Sequence, residues 1–444
     1  MEKVAESSST QGTGRSAPLV SVVTVNHNGG HLLPDLLESL RRQSYTNHEV
    51  VVVDNASRDD SRNLLRNDFP EVRVIEQDRN LGFAEGNNLG IRAAHGSLVA
   101  LANNDTVADP RWLEELVRTA LGDDRIGAVA SKILFLRPFV PLRLVAERSG
   151  MLFGEATGFV ACDYDKAIFK TGFHGAEASG SRRVRRMAEE GTVLLPIPAA
   201  GGGGPLRLVV ATGELAPPQR LRIEIGARPI ATLTPDHELR EHLVEVPAEV
   251  LAAESFDVIN NAGTDLSAFG DAADRGIFEP DTGQYEREED LAAFCGAAVL
   301  LGRSALEEVG LFDRDFFMYY EDTDLSWRLR RAGYRIRYQP RSTIRHRHAA
   351  SSVEWSPLFT FYTARNRVLM IAKNGGPAAF PRAYGRELRT LAGLGVRVGR
   401  ARRGPAAAQV RRELLTRFRV HGSLFVKTPR TVLQRTGLIA DRIR

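Results

Sequence analysis

The chain has 444 residues, an average apolar fraction, 59 Lys+Arg against 55 Asp+Glu and two cysteines, Cys162 and Cys295. That length calls for two or three folded units rather than one. Two cysteines exclude a disulfide framework and a four-cysteine zinc site, and the longest apolar run, around 291–302, is too short to span a bilayer.

The near-neutral total hides an asymmetry. From Arg331 onward there are about 25 basic side chains against about 4 acidic ones, so the preceding body carries an acidic excess. A basic tail of this kind fits an anionic surface: phospholipid, a phosphate-linked lipid or nucleic acid.

Residues 1–17 are polar, lack an apolar segment and read as a disordered leader. From Pro18, β-branched runs alternate with helical spacing. Strands are expected at LVSVVTV (19–25), EVVVVD (49–54), VRVIEQ (72–77), SLVALA (97–102) and IGAVASKI (126–133). Helices are expected at 31–43, over FAEGNNLGIRAAHG with Gly96 closing it, and over 110–121. This alternation predicts an α/β fold with a doubly wound, mostly parallel sheet and ligands beyond the carboxyl ends of its strands.

The rhythm breaks over 134–259. Period-two runs (LRLVV, LRIEI, PIATLT, HLVEV) separated by PAAGGGGP, ELAPPQ and TPDHE predict an inserted antiparallel β module. AAFCGAAVLLG (292–302) resumes strand character and SALEEVG is a short helix. Thr323–Gly333 is a helix with Leu325, Leu329 and Ala332 on one face and Gly333 as its stop. The chain beyond 351 is basic and helical.

Several residues carry candidate chemistry. Asp54 closes the second strand, and Asn103-Asn104-Asp105 closes the fourth. A lone carboxylate at a strand end suits hydrated Mg²⁺ or Mn²⁺ when phosphate supplies other ligands, although helix capping also accounts for Asp54. No GxGxxG or GxxxxGK[ST] loop is present. His346 and His348 alternate, so on a strand both face one side; a solvated basic edge strand is the competing reading. Glu321 and Asp322 stand behind FFMYY at a helix N-terminus, where the dipole favours carboxylates and where capping alone needs one acid. Asp324 reads as a first-turn helix residue and the arginines after it as a solvated face.

Taken in order, VSVVTVNHNGG, VVVVDNASRDDS, RNLGFAEGNNLGIRAAHGSLVALANND, FCGAAVLLGRSALEEVGLFDRDFFMYYEDTDLSWRLRRAGY and IRHRHAASS resemble the family 2 glycosyltransferases. The nearest branch is that of the bacterial rhamnosyltransferases and galactofuranosyltransferases. FYTARNRVLMIAKN (361–374) resembles the segment that follows the core in that branch.

The resemblance implies a GT-A fold: a nucleotide-sugar-binding half (18–133), the insert (134–259), an acceptor and catalytic half (260–350) and a basic helical region (351–444). It implies a dTDP- or UDP-sugar donor, a divalent cation (Mg or Mn) and inversion at the anomeric carbon. Thr24, Asn26 and Asp54 would hold nucleobase and ribose, Asn80 and Gly82 would line the donor pocket, and Asn104 and Gly296 would bind substrate. Asp105, in an Asn-Asn-Asp version of the family's DxD, would ligate the metal with His346 or His348. Asp322 would be the base, with Glu321 orienting the acceptor. The expected reaction moves a sugar, rhamnose first, to a cell-surface glycan or lipid-linked acceptor. It would occur in the cytoplasm, peripheral to the inner face of the plasma membrane, with the basic tail on anionic lipid and nucleic acid no partner. Galactofuranose or another hexose is the alternative within the family. A nucleotidyltransferase lacks its basic loop after the first strand, and the paired acids argue against a non-catalytic glycan-binding protein.

Overall fold

The computed structural model describes residues 17–164, 167–179, 182–199, 202–213, 217–267, 269–347, 356–400 and 405–435. The leader, apart from residue 17, and His348 lie outside the described residues.

Four strands, β1 (Val20–Asn26), β2 (His48–Asp54), β3 (Arg73–Glu76) and β4 (Leu98–Ala102), pair in parallel in the order β3-β2-β1-β4. The β-branched runs of β1, β2 and β4 are buried on both faces because helices cover both, while β3 at the sheet edge is half-exposed. Leu33, Leu36, Leu37 and Leu40 of α1 (Leu33–Arg41) pack on Val20, Val22 and Val52. Ala84 and Ile91 of α3 (Gly82–Ala93) pack on Val23 and Val51, and α2 (Ser61–Asp68) follows β2.

Gly90 lets α3 sit close to the sheet, since a Cβ there would lie 2.2 Å from Val23. The helix stops at Ala93, with Ala94 extended, rather than at Gly96. Gly96 serves a different need: a Cβ would lie 2.6–2.8 Å from the backbone of Leu19, Ser21 and Leu98.

The other half of the sheet is mixed. It contains β5 (Thr106–Ala108), β6 (Ile126–Phe135), β7 (Ile259–Asn261), β8 (Glu289–Asp290), β9 (Ala298–Gly302) and β10 (Arg335–His346), with α4 (Trp112–Ala120) between β5 and β6. The full order is β3-β2-β1-β4-β9-β6-β10-β8, with β7 on β6 and β5 on β10. β9 runs antiparallel to both neighbours, while β10 is parallel to β6. The strand expected over 292–302 is confined to its second half, and Cys295-Gly296 before it forms a loop facing the site.

The insert is antiparallel throughout. Strands drawn from residues 139–246 build a second sheet around Val140, Leu142, Phe153, Val193, Leu206, Leu208, Ile223 and Val244. The chain leaves at the end of β6 and returns in β7, with Ile259 opposite Leu134. Phe135, Phe139 and Val258 seal the junction, together with Phe278, whose ring stacks on Phe135 at 5.6 Å.

The basic region is helical as expected: α7 (Pro357–Asn374), α8 (Ala379–Arg400) and α9 (Pro405–Arg435) follow α5 (Arg303–Val309) and α6 (Glu321–Arg331). No described helix is long and apolar enough to cross a membrane. Not all of the basic residues are on the surface. Arg365, Arg367 and Lys373 of α7 are buried against the body.

Candidate active site

Two cavities open at the carboxyl ends of the strands. One, of about 630 Å³, lies beyond β1–β3 and is lined by His27, Asn28, Ser57, Arg58, Arg62 and Asn80, among others. Local backbone builds it. Ser57 Oγ accepts from Asn28 N (2.9 Å) and Asn28 Oδ1 accepts from Arg58 N (2.7 Å). Asn80 Oδ1 accepts from Asn55 Nδ2 and from Gly82 N.

Thr24 and Asp54 are fully buried and do not line this cavity. Asp54 is reached from outside through Arg62, whose Nε donates to Oδ2 at 2.6 Å. Its Oδ1 and Thr24 Oγ1 have no hydrogen-bond partner. Asn26 is likewise buried and accepts from Asn104 Nδ2 (2.8 Å), so Asn104 cross-braces the loops after β1 and β4 instead of facing a cavity. The sequence reading passed over Asn55, Arg58 and Arg62, which shape this mouth.

The second cavity, of about 380 Å³, gathers Asn103, Asp105, Asn260, Asp274, Cys295, Gly296, Glu321, Asp322 and His346. His346 ends β10, and its Nδ1 lies 3.0 Å from Asn260 Oδ1. A proton on Nδ1 would serve that oxygen. Nε2 faces Asp105 Oδ1 at 3.1 Å, and this carboxylate oxygen is buried without a hydrogen-bond donor. Either a proton on Nε2 or a cation beside it would satisfy that oxygen. One carboxylate oxygen and one imidazole nitrogen fit part of a divalent cation's shell, leaving the rest to water and phosphate.

Across the cavity, Glu321 and Asp322 begin α6. Asp322 is half-buried; its Oδ2 accepts from Gly296 N (3.0 Å) and its Oδ1 from Thr323 N (2.7 Å). Burial pushes its carboxyl above the ordinary range, and the charge of Asp274 adds to the effect. Glu321 is 5% exposed, and its Oε2 has no partner. Burial, then the neighbouring Asp322, holds it well above the usual glutamate range.

The FFMYY segment explains this presentation. Phe317, Tyr319 and Tyr320 all adopt positive φ, 66°, 68° and 70°. Such conformations cost bulky residues about 1–3 kcal/mol each and persist only when their surroundings dictate them. From one side, Phe317 O accepts from Phe83 N (2.7 Å) and Ala84 N (3.1 Å) in the first turn of α3. Gly82 fits beneath: its φ is +79°, and a Cβ would lie 2.5 Å from Phe317 O, so it supports this loop and lines neither cavity. From the other side, Asn366 Nδ2 of α7 donates to the carbonyls of Phe316, Met318 and Tyr319 (2.9, 2.8 and 2.8 Å), and Arg365 Nη2 donates to those of Asp315 and Phe316.

Asp324 is more than a first-turn residue. Fully buried, it accepts from Arg328 Nε (2.9 Å), Lys373 Nζ (2.9 Å) and Asn374 Nδ2 (2.7 Å), tying α6 to α7. Those cations hold its carboxyl below the ordinary range against the opposing effect of burial. Arg328, expected on a solvated face, also donates to the carbonyls of Val309, Gly310 and Leu311. Leu325 and Leu329 are buried as expected, but Ala332 is exposed. One signal for the clamp was available in the sequence: Arg365-Asn366 and Lys373-Asn374 are polar pairs about two turns apart that flank the apolar run VLMIA.

Residues 21–164 match the model of "Glycosyl transferase family 2", and residues 266–429 that of "Glycosyl transferase family group 2". An uncharacterized glycosyltransferase of Haemophilus influenzae is 29% identical over 119 residues, 26% of this chain and 37% of its own length. The O-antigen biosynthesis protein RfbC of Myxococcus xanthus is 34% identical over 125 residues, 27% of this chain and 10% of its own. Among solved structures, a mannosyltransferase of Pyrobaculum calidifontis in complex with GDP-Man and Mn²⁺ covers 93% of this chain and 88% of its own at 15% identity, with a TM-score of 0.40. Two segments of the chain thus match glycosyltransferase models, and the chain spans only about a third or less of the length of these two curated relatives. Its α/β architecture is GT-A-like, as the resemblance implied.

Proposed function

We propose that this chain is an inverting, metal-dependent glycosyltransferase. It takes a sugar, rhamnose in the first place, from a dTDP- or UDP-linked donor to a cell-surface glycan or lipid-linked acceptor. The observation that carries the reading is the second cavity, which Asp322 and Glu321 at the start of α6 share with Asp105 after β4 and His346 at the end of β10. The family matches on both halves support the reaction class, and a relative named for O-antigen biosynthesis supports a surface glycan.

Asp322 is the base. A carboxyl raised toward neutrality by burial is a better proton acceptor than an exposed aspartate, and general-base assistance contributes roughly 10²–10⁴ in rate. The Gly296 and Thr323 amides fix the direction in which it points. Glu321, its carboxyl raised by burial and by the adjacent charge, orients the acceptor beside the base. Asp105 and His346, with His348 in reserve, would hold Mg²⁺ or Mn²⁺, which when bound would offset charge on the departing diphosphate. Asn80, with Arg62 and Arg58, faces the donor nucleotide in the first cavity; Thr24, Asn26 and Asp54 form the rigid floor behind it, and Asn104 braces that floor. The enzyme works from the cytoplasm at the inner membrane face, and its arginine-rich helices draw it to anionic lipid.

Turnover of a nucleotide-sugar panel with and without Mn²⁺ tests this. Nucleotide release that is metal-stimulated and greatest with dTDP-rhamnose is expected. No release from any donor would remove the reading.

A further inference from the structure

Beside the catalytic cavity lies a recess of about 350 Å³ that none of the roles above uses. Phe269, Pro381, Arg382, Gly385, Arg386 and Arg389 line it. The last four share one face of α8 through their three- and four-residue spacing. Arg386 is committed to Asp271, donating to Oδ2 at 2.6 Å. Arg382 and Arg389 are exposed, and among the described residues no acidic side chain pairs with either. Two unopposed guanidinium groups therefore border a recess whose other wall is aromatic.

That wall is built in place. Phe269 is 59% exposed, yet its loop is held: Ser267 Oγ accepts from Phe269 N (3.2 Å) and Asp271 N (3.0 Å). Gly270, at φ +75°, packs so tightly on Ile371 that a Cβ would lie 2.4 Å away. An exposed phenyl on an ordered loop beside free guanidinium forks suits one ligand chemistry, a phosphate or diphosphate ester carrying an alkyl chain. The forks take the phosphate oxygens and the ring covers the first carbons.

The position agrees. Asp271, which anchors Arg386, precedes Ala272, and Ala272 N donates to Tyr320 Oη at 3.3 Å. Ala272 and Tyr320 both line the catalytic cavity, so the Asp271–Ala272 backbone connects the recess to it. We infer that the recess binds the phosphate of a phosphate-linked lipid acceptor, with its chain on Phe269 and its sugar directed toward Asp322. The inference rests on the transferase reading for the word acceptor; the binding itself does not.

Titration calorimetry with farnesyl diphosphate, farnesol, inorganic pyrophosphate and vesicles of phosphatidylglycerol tests it on the full chain. Farnesyl diphosphate should bind at least tenfold more tightly than farnesol or pyrophosphate. Arg382→Ala with Arg389→Ala should weaken it at least tenfold. Gly385→Leu should do the same by filling the recess, since a side chain there meets nothing in the folded chain and favours the helix. UDP-induced thermal shifts should be unchanged in both variants, which reads the donor side separately.

Equal binding of farnesol, or parental affinity in both variants, overturns the site. Pyrophosphate binding as tightly as the lipid assigns the recess to free phosphate and overturns the lipid acceptor. Vesicle binding that accounts for all affinity and ignores Gly385→Leu reduces it to surface adsorption. A chain that binds farnesyl diphosphate as expected but releases no nucleotide from any sugar donor keeps the recess and loses the transferase.

Discussion

The two cavities are built by opposite means. The donor-side cavity rests on β1–β3 and the turns directly after them, and residues within about thirty positions of one another close most of its polar groups. The other side presents its acids at the start of a helix whose lead-in loop is in high-energy backbone, held by α3 from far upstream in the chain and by α7 from about fifty residues downstream. The first is stable wherever the parallel sheet is stable. The second exists only once the C-terminal helices have docked, so that region completes the site whatever else it binds.

The sharpest way to test that contrast is to remove the proposed base while leaving its frame. Asp322→Asn should lower transfer by roughly 10²–10⁴, the usual worth of a general base, with nucleotide binding unchanged. Rates and UDP thermal shifts measured on one preparation check this; undiminished transfer would end the assignment.

Removing the clamp comes next. Asn366→Ala strips the donor shared by three carbonyls and should cost about 2 kcal/mol in stability, since buried acceptors are left unmet. It should lower kcat by about tenfold or more through misplacement of the acids, with donor KM held, because the donor cavity does not use α7. A rise in donor KM with kcat intact would mean that the two sides are not independent.

The smallest effect concerns Glu321. Its folded carboxyl titrates above the ordinary value, so the fold binds a proton that the unfolded chain has released. That contribution is present below an unfolded pKa of about 4.3 and is lost as pH rises toward the folded value. Glu321→Gln keeps the neutral shape. It should match the parent near pH 4 and become more stable at neutral pH, by about 1 kcal/mol, the usual size of one stabilising substitution, while transfer falls. Melting temperatures across pH 4–8 would show the gap opening, and a constant gap would place the effect elsewhere.

What could be read in advance follows the same division. Local pattern revealed β1–β4 and β6, because runs such as VVVVD are buried on both faces and leave no other choice. It revealed the paired acids because two carboxylates behind five bulky residues have no structural need to be there. It could not reveal that Asp324, two positions on, belongs to an ion-pair hub, since its partners Lys373 and Asn374 are about fifty residues away. Nor could it show that Asn104 braces Asn26 while Asn103 and Asp105 line the cavity, because that depends on how the loop after β4 crosses the one after β1. Positive φ at Phe317, Tyr319 and Tyr320 runs against the intrinsic preference of aromatic residues, and only the tertiary frame imposes it.

The return of the chain opposite the point where it left has a consequence for how such a molecule is assembled. Because Ile259 sits across from Leu134, the whole second sheet occupies the place of a hairpin turn. Topologically it is an appendage, and the catalytic body would close around a few residues in its stead, since lengthening a loop costs little in closure entropy. The appendage is nonetheless felt at the site, because its Phe139, Tyr164, Ile168 and Leu194 pack with Ile277 at the rim of the second cavity.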